Sequence, residues 1–156
     1  MGAVVDDIVG LRRILAQARV IAVVGLSARW NRPSYFAAKY MRDHGYRIVP
    51  VNPSYTEVMG EKCYPDLRSV PEHVDIVDCF RRSAEMPGIA RDAAAIGANV
   101  LWMQLGIESD EAVEIALGAG MGVVVDHCVK IEHARILGGL NWAGVNTGVV
   151  SSRRPL

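Results

Sequence analysis

The chain has 156 residues and equal numbers of basic and acidic side chains, 17 each, so its formal net charge is zero. A chain of this length is the size of one domain and buries roughly two-thirds of its unfolded surface. We therefore expect residues 1–156 to form a single domain. The neutral balance excludes the global basic field that attracts nucleic acids, so any anion site must be local.

Compartment and membrane signals point to a cytoplasmic protein. No apolar run approaches the roughly 18 residues that span a bilayer, and no amino-terminal segment resembles a secretion signal. The three cysteines, Cys63, Cys79 and Cys128, are an odd number in a chain that needs no disulfides. The sequence thus predicts reduced thiols, a cytoplasmic location and no membrane partner.

Hydrophobic periodicity predicts alternating helices and strands. Apolar residues at a spacing near 3.6 predict an amphipathic helix over residues 6–18. Residues 20–24 are a run of five apolar residues that ends at Gly25, as in a parallel strand buried on both faces. The later predicted elements are a helix over 34–44, strands over 46–51 and 74–80, a helix over 86–96, a strand over 100–103, a helix over 109–119 and a strand over 121–125.

Two less regular segments complete the chain. Pro50 removes one ladder donor from the second strand, so we expect that strand at a sheet edge or with one unpaired bond. Residues 54–73 are predicted to be a loop with a short helix near 65–70. Residues 138–156, rich in Gly, Asn, Ser and Arg, are predicted to be an extended or partly ordered arm.

Short strands that alternate with helices of about 10 to 15 residues are typical of right-handed βαβ units. The sequence therefore predicts an α/β fold: a Rossmann-like three-layer αβα domain with a mainly parallel five-stranded sheet and a core over about 20–135. Ligands of such sheets bind beyond the carboxyl ends of the strands, where the strand order reverses. With the order 3-2-1-4-5, that crevice would lie between the first and fourth strands.

The loop after the first strand has the composition of a phosphate site. Gly25 allows close approach of the backbone, the Ser27 hydroxyl can bind a phosphate oxygen, and Arg29 or Arg32 can add charge-assisted bonds. Pro33 suits the first turn of the next helix, whose free amides and dipole favour an anion. Together these features predict phosphate binding, with a tight turn and solvated arginines as the alternative.

The same loop departs from the dinucleotide-binding glycine pattern. Ser27 and Trp30 stand where that pattern has its second and third glycines. Asn52 and Pro53 follow the second strand, where an acidic residue would hold the ribose of NAD. These departures weaken a dehydrogenase hypothesis, although arginine-rich loops can still accept the 2′-phosphate of NADP.

Two further loops carry candidate ligand contacts. Phe80 could pack on an adenine or a pantetheine arm, and Arg81 could pair with a phosphate; core packing and a solvated arginine are the alternatives. Gln104 is a polar residue in an apolar stretch, and a buried amide must find partners, of which a ligand is one.

No constellation of catalytic residues is visible. The loop 25–29 is not a Gly-x-Ser-x-Gly elbow. His127 and Cys128 are neighbours on an extended segment, so their side chains would not converge on one ion. We therefore expect neither catalytic residues nor a metal.

The ordered set of motifs resembles the small stand-alone CoA-binding domain proteins, which are similar to the amino-terminal CoA-binding domain of the succinyl-CoA synthetase α subunit. The resemblance spans residues 20 to about 135. The segments that carry it are VVGLS at 23–27, RPS at 32–34, VNP at 51–53, GEKCYP at 60–65, VDCFRR at 77–82, WMQLG at 102–106 and DHC at 126–128.

The resemblance implies a non-catalytic carrier, sensor or regulatory protein that binds coenzyme A (CoA) or acyl-CoA. The phosphohistidine of the synthetase lies in a domain that this chain does not contain, so the ligase reaction is not carried over. An NAD(P)-binding oxidoreductase or redox sensor is the alternative. A protein partner, a monomer or a homodimer, and a mixed disulfide between Cys128 and the CoA thiol are left open.

The implied ligand runs along the carboxyl ends of the strands. Its phosphates lie near the loop 25–34, its nucleotide near the loops after the second and third strands, and its other end farther in. The predicted contacts are Gly25, Leu26, Ser27, Arg32, Pro33, Ser34, Asn52, Pro53, Phe80, Arg81, Gln104 and Gly106.

Overall fold

A six-stranded parallel sheet forms the centre of the structure, a computed structural model that describes residues 2–137. The arm predicted for residues 138–156 lies outside the described residues. The strands are β1 (Ala3–Val4), β2 (Val20–Val24), β3 (Arg47–Val51), β4 (Glu57–Val58), β5 (Glu61–Lys62), β6 (Ile76–Cys79), β7 (Val100–Met103) and β8 (Gly122–Val124). The helices are α1 (Ile8–Gln17), α2 (Pro33–Asp43), α3 (Met86–Ala95), α4 (Asp110–Gly118) and α5 (Val129–Ile136), with short 3₁₀ turns at Leu67–Ser69 and Ser83–Glu85.

The sheet has the order β1-β8-β7-β6-β2-β3, and every neighbouring pair is parallel. The predicted α/β class and the mainly parallel sheet are confirmed, but β1 adds a sixth strand that was not predicted. The expected order 3-2-1-4-5 is wrong. After β3 the chain forms the β4–β5 hairpin and returns to the free edge of β2, where Ile21 pairs with Ile76. The order therefore reverses between β2 and β6, the first and third predicted strands.

Pro50 lies in β3, at an edge of the described sheet, which confirms the edge position predicted for it. The carbonyl oxygen of Pro50 accepts a hydrogen bond from the Tyr64 amide at 3.0 Å, beyond the sheet edge. The missing amide donor of Pro50 therefore costs little stability, because at this edge β3 contacts only the short segment at Tyr64 and not a full neighbouring strand.

Helices cover both faces of the sheet. Side chains of α1, α2 and α5, among them Leu11, Met41 and Ile136, pack on one face with the fully buried Trp102. Alanines of α3 and α4, such as Ala90 and Ala116, pack on the other face. Ser109 caps the start of helix α4: its hydroxyl oxygen accepts the Ala112 amide at 3.2 Å and so satisfies a free donor of the first turn. None of the helices within residues 2–137 has the length and apolar character that a membrane crossing needs.

Candidate functional site

A cavity of about 400 Å³ opens at the carboxyl ends of β2, β3 and β6, where the strand order reverses. Three loops meet there because parallel strands all end at the same edge of the sheet. Six of its lining residues were predicted from the sequence, and three were not among the predicted contacts. The lining residues are Gly25, Ser27, Arg29, Arg32, Asn52, Ser54, Tyr55, Phe80 and Arg81.

Gly25 is the point at which the three strands approach one another. Its amide donates to the Val51 carbonyl oxygen at 2.8 Å, and the Phe80 amide donates to the Val24 carbonyl oxygen at 2.8 Å. Gly25 has a φ of +87°, in the left-handed region that side chains disfavour. The backbone of the cavity floor is therefore open to a ligand only because residue 25 has no side chain.

Hydrogen-bond donors from amides and hydroxyls lie close together at the start of α2. The Ser27 amide donates to the Ser34 hydroxyl oxygen at 3.0 Å, and the Arg29 amide donates to the Ser27 hydroxyl oxygen at 3.1 Å. Each hydroxyl accepts one bond and keeps its own hydrogen for a ligand. Pro33 is the first residue of α2, and within residues 2–137 the Ser34 amide has no hydrogen-bond partner. Pro33 and Ser34 line an adjoining cavity of about 180 Å³ that shares Gly25 with the first.

The cavity is locally cationic in a chain of zero net charge. Arg29, Arg32 and Arg81 line it, and no carboxylate from the described part of the chain does. None of the three guanidinium groups forms an ion pair with any residue of the described range 2–137. Unpaired arginines beside free amide and hydroxyl donors form a site that can bind a phosphate group.

Asn52 holds the loop rather than facing an open ligand position. Its Nδ2 donates to the Leu26 carbonyl oxygen at 3.1 Å, and its Oδ1 accepts the Ser54 amide at 2.9 Å. Asn52 and Leu26 are both buried, and the Leu26 side chain belongs to the core. The side chains of these two predicted contacts therefore have structural roles, and of the two residues Asn52 lines the cavity whereas Leu26 does not.

A second cavity, of about 470 Å³, lies on the α3 side of the same sheet edge. Its walls are largely apolar, and Arg81 lines both cavities. Carboxylates of Asp66, Glu85 and Asp92 lie along it as well. The apolar wall residues are Val24, Val51, Pro53, Pro65, Leu67 and Ile89. Apolar walls with nearby carboxylates suit a ring system that carries hydroxyl groups.

Gln104 and Gly106 do not line either cavity. Gln104 is buried; its Nε2 donates to the Asp78 carboxyl group, and its Oε1 accepts the Val129 amide at 3.4 Å. The expectation that Gln104 must find partners is met by the protein itself. The Gly106 amide donates to Asp126 Oδ1 at 2.7 Å. Burial raises the pKa of Asp78 to about 8, against the opposing effect of the Gln104 hydrogen bond.

Three cavity residues were absent from the predicted contacts. Arg29 was treated only as an alternative to Arg32, although both lie in one loop at the same strand end. Ser54 and Tyr55 directly follow Asn52 and Pro53, but a hydroxyl in a loop without periodicity gives no signal for the direction of its side chain.

The cysteines and histidines offer no reactive cluster in the described part of the chain. Cys63 and Cys79 are buried and Cys128 is half-buried. Burial raises the pKa of the Cys128 thiol, which lowers its thiolate fraction and its reactivity towards a disulfide. Within residues 2–137 no three His, Cys, Asp or Glu side chains are arranged to hold a metal ion.

The parallel sheet, with a cationic crevice where its strand order reverses, defines a Rossmann-like α/β protein. Residues 19–134 match the sequence model of the CoA binding domain, and the chain belongs to that family. The resemblance stated from the motifs is therefore confirmed.

Relatives of known sequence or structure agree with this family. The uncharacterized protein YneT of Bacillus subtilis (strain 168) is 40% identical over 124 residues, covering 80% of this chain and 92% of YneT. A hypothetical protein from Pyrococcus horikoshii OT3 superposes with a TM-score of 0.84 at 36% identity, over 87% of this chain and 97% of that one. The acetate–CoA ligase [ADP-forming] I of Archaeoglobus fulgidus is 26% identical over 128 residues, 76% of this chain but only 19% of the ligase.

Proposed function

We propose that this protein binds coenzyme A or an acyl-CoA and acts as a non-catalytic carrier, sensor or regulatory protein. The observation that carries the proposal is the cavity at the carboxyl ends of β2 and β6, where three unpaired arginines meet free hydroxyl and amide donors. Membership of the CoA binding domain family supports CoA as the ligand.

The two cavities suit the two ends of the nucleotide part of CoA. The pyrophosphate would lie over Gly25 and the start of α2, near Ser27, Ser34 and Arg32. The adenine and ribose would lie in the apolar cavity beside Pro53, which binds flat rings through burial of apolar surface. Arg81 lines both cavities and so suits the 3′-phosphate, which CoA carries on its ribose.

The position after β3 argues against NAD. A dehydrogenase of this fold holds the adenosine ribose with a carboxylate there. Asn52 occupies that place, and both ends of its side chain are used by Leu26 and Ser54. An NAD(P)-binding oxidoreductase is therefore the competing function that the first experiment must exclude.

The remaining features of the proposal follow from composition. We propose one domain for the whole chain and a reducing compartment, the cytoplasm, because all three cysteines are free thiols. The acyl group and the protein partner are not part of the proposal.

The test is isothermal titration of the purified, nucleotide-stripped protein with CoA, acetyl-CoA, NAD and NADP. We expect CoA and acetyl-CoA to bind with micromolar or tighter dissociation constants and NAD and NADP to bind at least ten times more weakly. Stronger binding of NAD or NADP than of CoA would replace the proposal with a redox function. Absence of binding by all four nucleotides would reject the cavity as a nucleotide site.

A further inference from the structure

Glu132 is a fully buried carboxyl group on α5 that lacks hydrogen bonds. Its exposure is 0%, and neither Oε1 nor Oε2 has a hydrogen-bond partner within residues 2–137. The nearest cation-forming group is the His127 imidazole, whose Nδ1 lies 3.3 Å from Glu132 Oε1. An isolated buried carboxylate is strongly disfavoured, and the His127 imidazole is the group placed to offset its charge.

His127 itself is not enclosed. Its side chain keeps 12% exposure, and Nδ1 is buried against Glu132 whereas Nε2 is not among the buried unpaired atoms. The His127 backbone is fixed on both sides, since its amide donates to the Met103 carbonyl oxygen at 3.3 Å and its carbonyl oxygen accepts Trp102 Nε1 at 2.8 Å. His127 thus places one ring nitrogen against a buried carboxylate and keeps part of its side chain exposed, which is the arrangement of a general base.

The position of the pair relates it to the candidate site. His127 follows β8 at the same carboxyl edge of the sheet as the cationic cavity, and β8 lies two strands from β6, about 10 Å away. Gln104, at the end of β7 between β6 and β8, accepts the Val129 amide at the start of α5 at 3.4 Å. A ligand whose phosphates occupy the cavity would extend a flexible arm along this edge towards β8.

We propose that His127, oriented by Glu132, accepts the proton of the thiol of bound CoA, so that the protein holds CoA as a thiolate. This inference rests on the proposed CoA-binding function. In the step, the S–H bond of the thiol breaks, a new N–H bond forms at His127 Nε2, and the sulfur keeps the electron pair. The Glu132 carboxylate, whose Oε1 lies 3.3 Å from His127 Nδ1, balances the charge of the imidazolium.

The surrounding charges agree with a thiol rather than a phosphate at this end. The three arginines that form no ion pair within residues 2–137 lie at the β2–β6 end, while Glu132 lies against His127, and Asp78 and Lys130 act on the neighbouring Cys128. Burial raises the pKa of Asp78 to about 8, so its carboxyl is mostly protonated at neutral pH. The Glu132 carboxylate would repel a phosphate dianion at this end, whereas a thiol can pass its proton to the imidazole.

The test measures the ultraviolet absorbance of the thiolate during a pH titration of protein saturated with CoA. The same titration with acetyl-CoA, which has no free thiol, is subtracted to remove the signals of the protein thiols and tyrosines. We expect the CoA thiol to titrate at least about one pH unit lower when bound than when free, as for a group beside a new opposite charge. His127→Gln should return the midpoint to that of free CoA, and Glu132→Gln should remove part of the shift.

The matched control is His73→Gln. His73 Nε2 also lies 3.5 Å from a carboxylate, that of Asp75, but His73 is exposed and the pair lies at the amino end of β6. The control variant should leave the midpoint of wild-type protein unchanged. Because replacing a buried Glu132 can impair folding, each variant is checked by circular dichroism, and His127→Gln alone is sufficient for the test.

The affinity for CoA is measured on the same samples by calorimetry, which separates two failures. If wild-type protein does not bind CoA, the proposed function is wrong. If CoA binds but its thiol titrates as in free solution, or if the shift survives in His127→Gln, CoA binding stands and the role of His127 is rejected.

Discussion

A Cβ atom at position 25 would lie 2.5 Å from the carbonyl oxygen of Phe80, closer than two such atoms can approach. The loop after β2 and the end of β6 thus touch through backbone atoms, and their separation defines the floor of the cationic cavity. Any side chain at residue 25 must push the two strand ends apart.

Gly25→Ala is therefore expected to impair the site as well as the fold. The added methyl group meets Phe80, and the φ of +87° adds a strain of about 1 kcal/mol. We expect CoA affinity to fall at least tenfold in calorimetry and the urea midpoint to decrease. Gly45→Ala is the control, because Gly45 has a φ of +96° but an added methyl group there would have nothing within 4 Å. It should lose stability and keep its affinity; equal affinities of both variants would contradict the assigned floor.

The arginines are expected to recognise different phosphates. A charge-assisted hydrogen bond contributes about 1.5 to 3 kcal/mol, so Arg32→Ala and Arg81→Ala should each weaken CoA binding by roughly 10 to 100 times. With dephospho-CoA, which lacks the 3′-phosphate, Arg32→Ala should show the same loss and Arg81→Ala almost none. Arg12→Ala, on the exposed surface of α1, is the control and should bind both ligands as wild type. Identical losses with both ligands for Arg81→Ala would reject its placement at the 3′-phosphate.

The sequence predicted the positions of the strands along the chain better than their order in the sheet. The apolar run 20–24 reports burial of a strand directly, and Pro50 indicated an edge because it lacks a donor. Strand order depends on which edge of β2 the chain reaches after residue 54, and no local pattern encodes that choice. The predicted order was wrong for this reason, and the predicted crevice moved by one strand.

Buried polar residues explain the other differences between the predicted and the observed structure. Helix α5 was not predicted because Glu132 and His133 occupy buried positions on it. Polar residues at buried positions interrupt the apolar periodicity by which a helix is recognised in a sequence. Gln104 was correctly identified as needing partners, but Asp78 precedes it by 26 residues and reaches it only through the pairing of β6 with β7. Such contacts depend on tertiary structure, whereas the loop 25–34 could be identified because its glycine, hydroxyls and arginine are contiguous.

The three thiols are expected to differ in reactivity. Burial raises the pKa of Cys63 and Cys128, and complete burial together with the nearby Asp78 carboxyl raises that of Cys79 further. Because only Cys128 is partly exposed, native protein treated with iodoacetamide at pH 7.5 should be labelled at Cys128 alone, and about ten times more slowly than free cysteine. Peptide mass spectrometry gives the sites. Cys128→Ser should abolish native labelling, and rapid modification of Cys79 would show that β6 opens.

The carboxyl group of Asp78 is expected to make the free energy of unfolding depend on pH. Its pKa is about 8 in the folded protein, because burial disfavours the charge, and about 3.9 in the unfolded chain. Between these values the unfolded chain has lost a proton that the folded protein retains, so the contribution of Asp78 to stability is fully present below about pH 4 and falls towards pH 8, by up to about 1.4 kcal/mol per pH unit. Asp78→Asn keeps an oxygen that can accept the Gln104 hydrogen bond but cannot ionise. Urea unfolding at pH 5, 6, 7, 8 and 9 should therefore show the variant gaining stability relative to wild type up to pH 8 and holding a constant difference above it.

Asp110→Asn, at an exposed carboxylate in the first turn of α4, should show no such gain. A difference between Asp78→Asn and wild type that does not change with pH would mean that Asp78 is ionised in the folded protein at neutral pH.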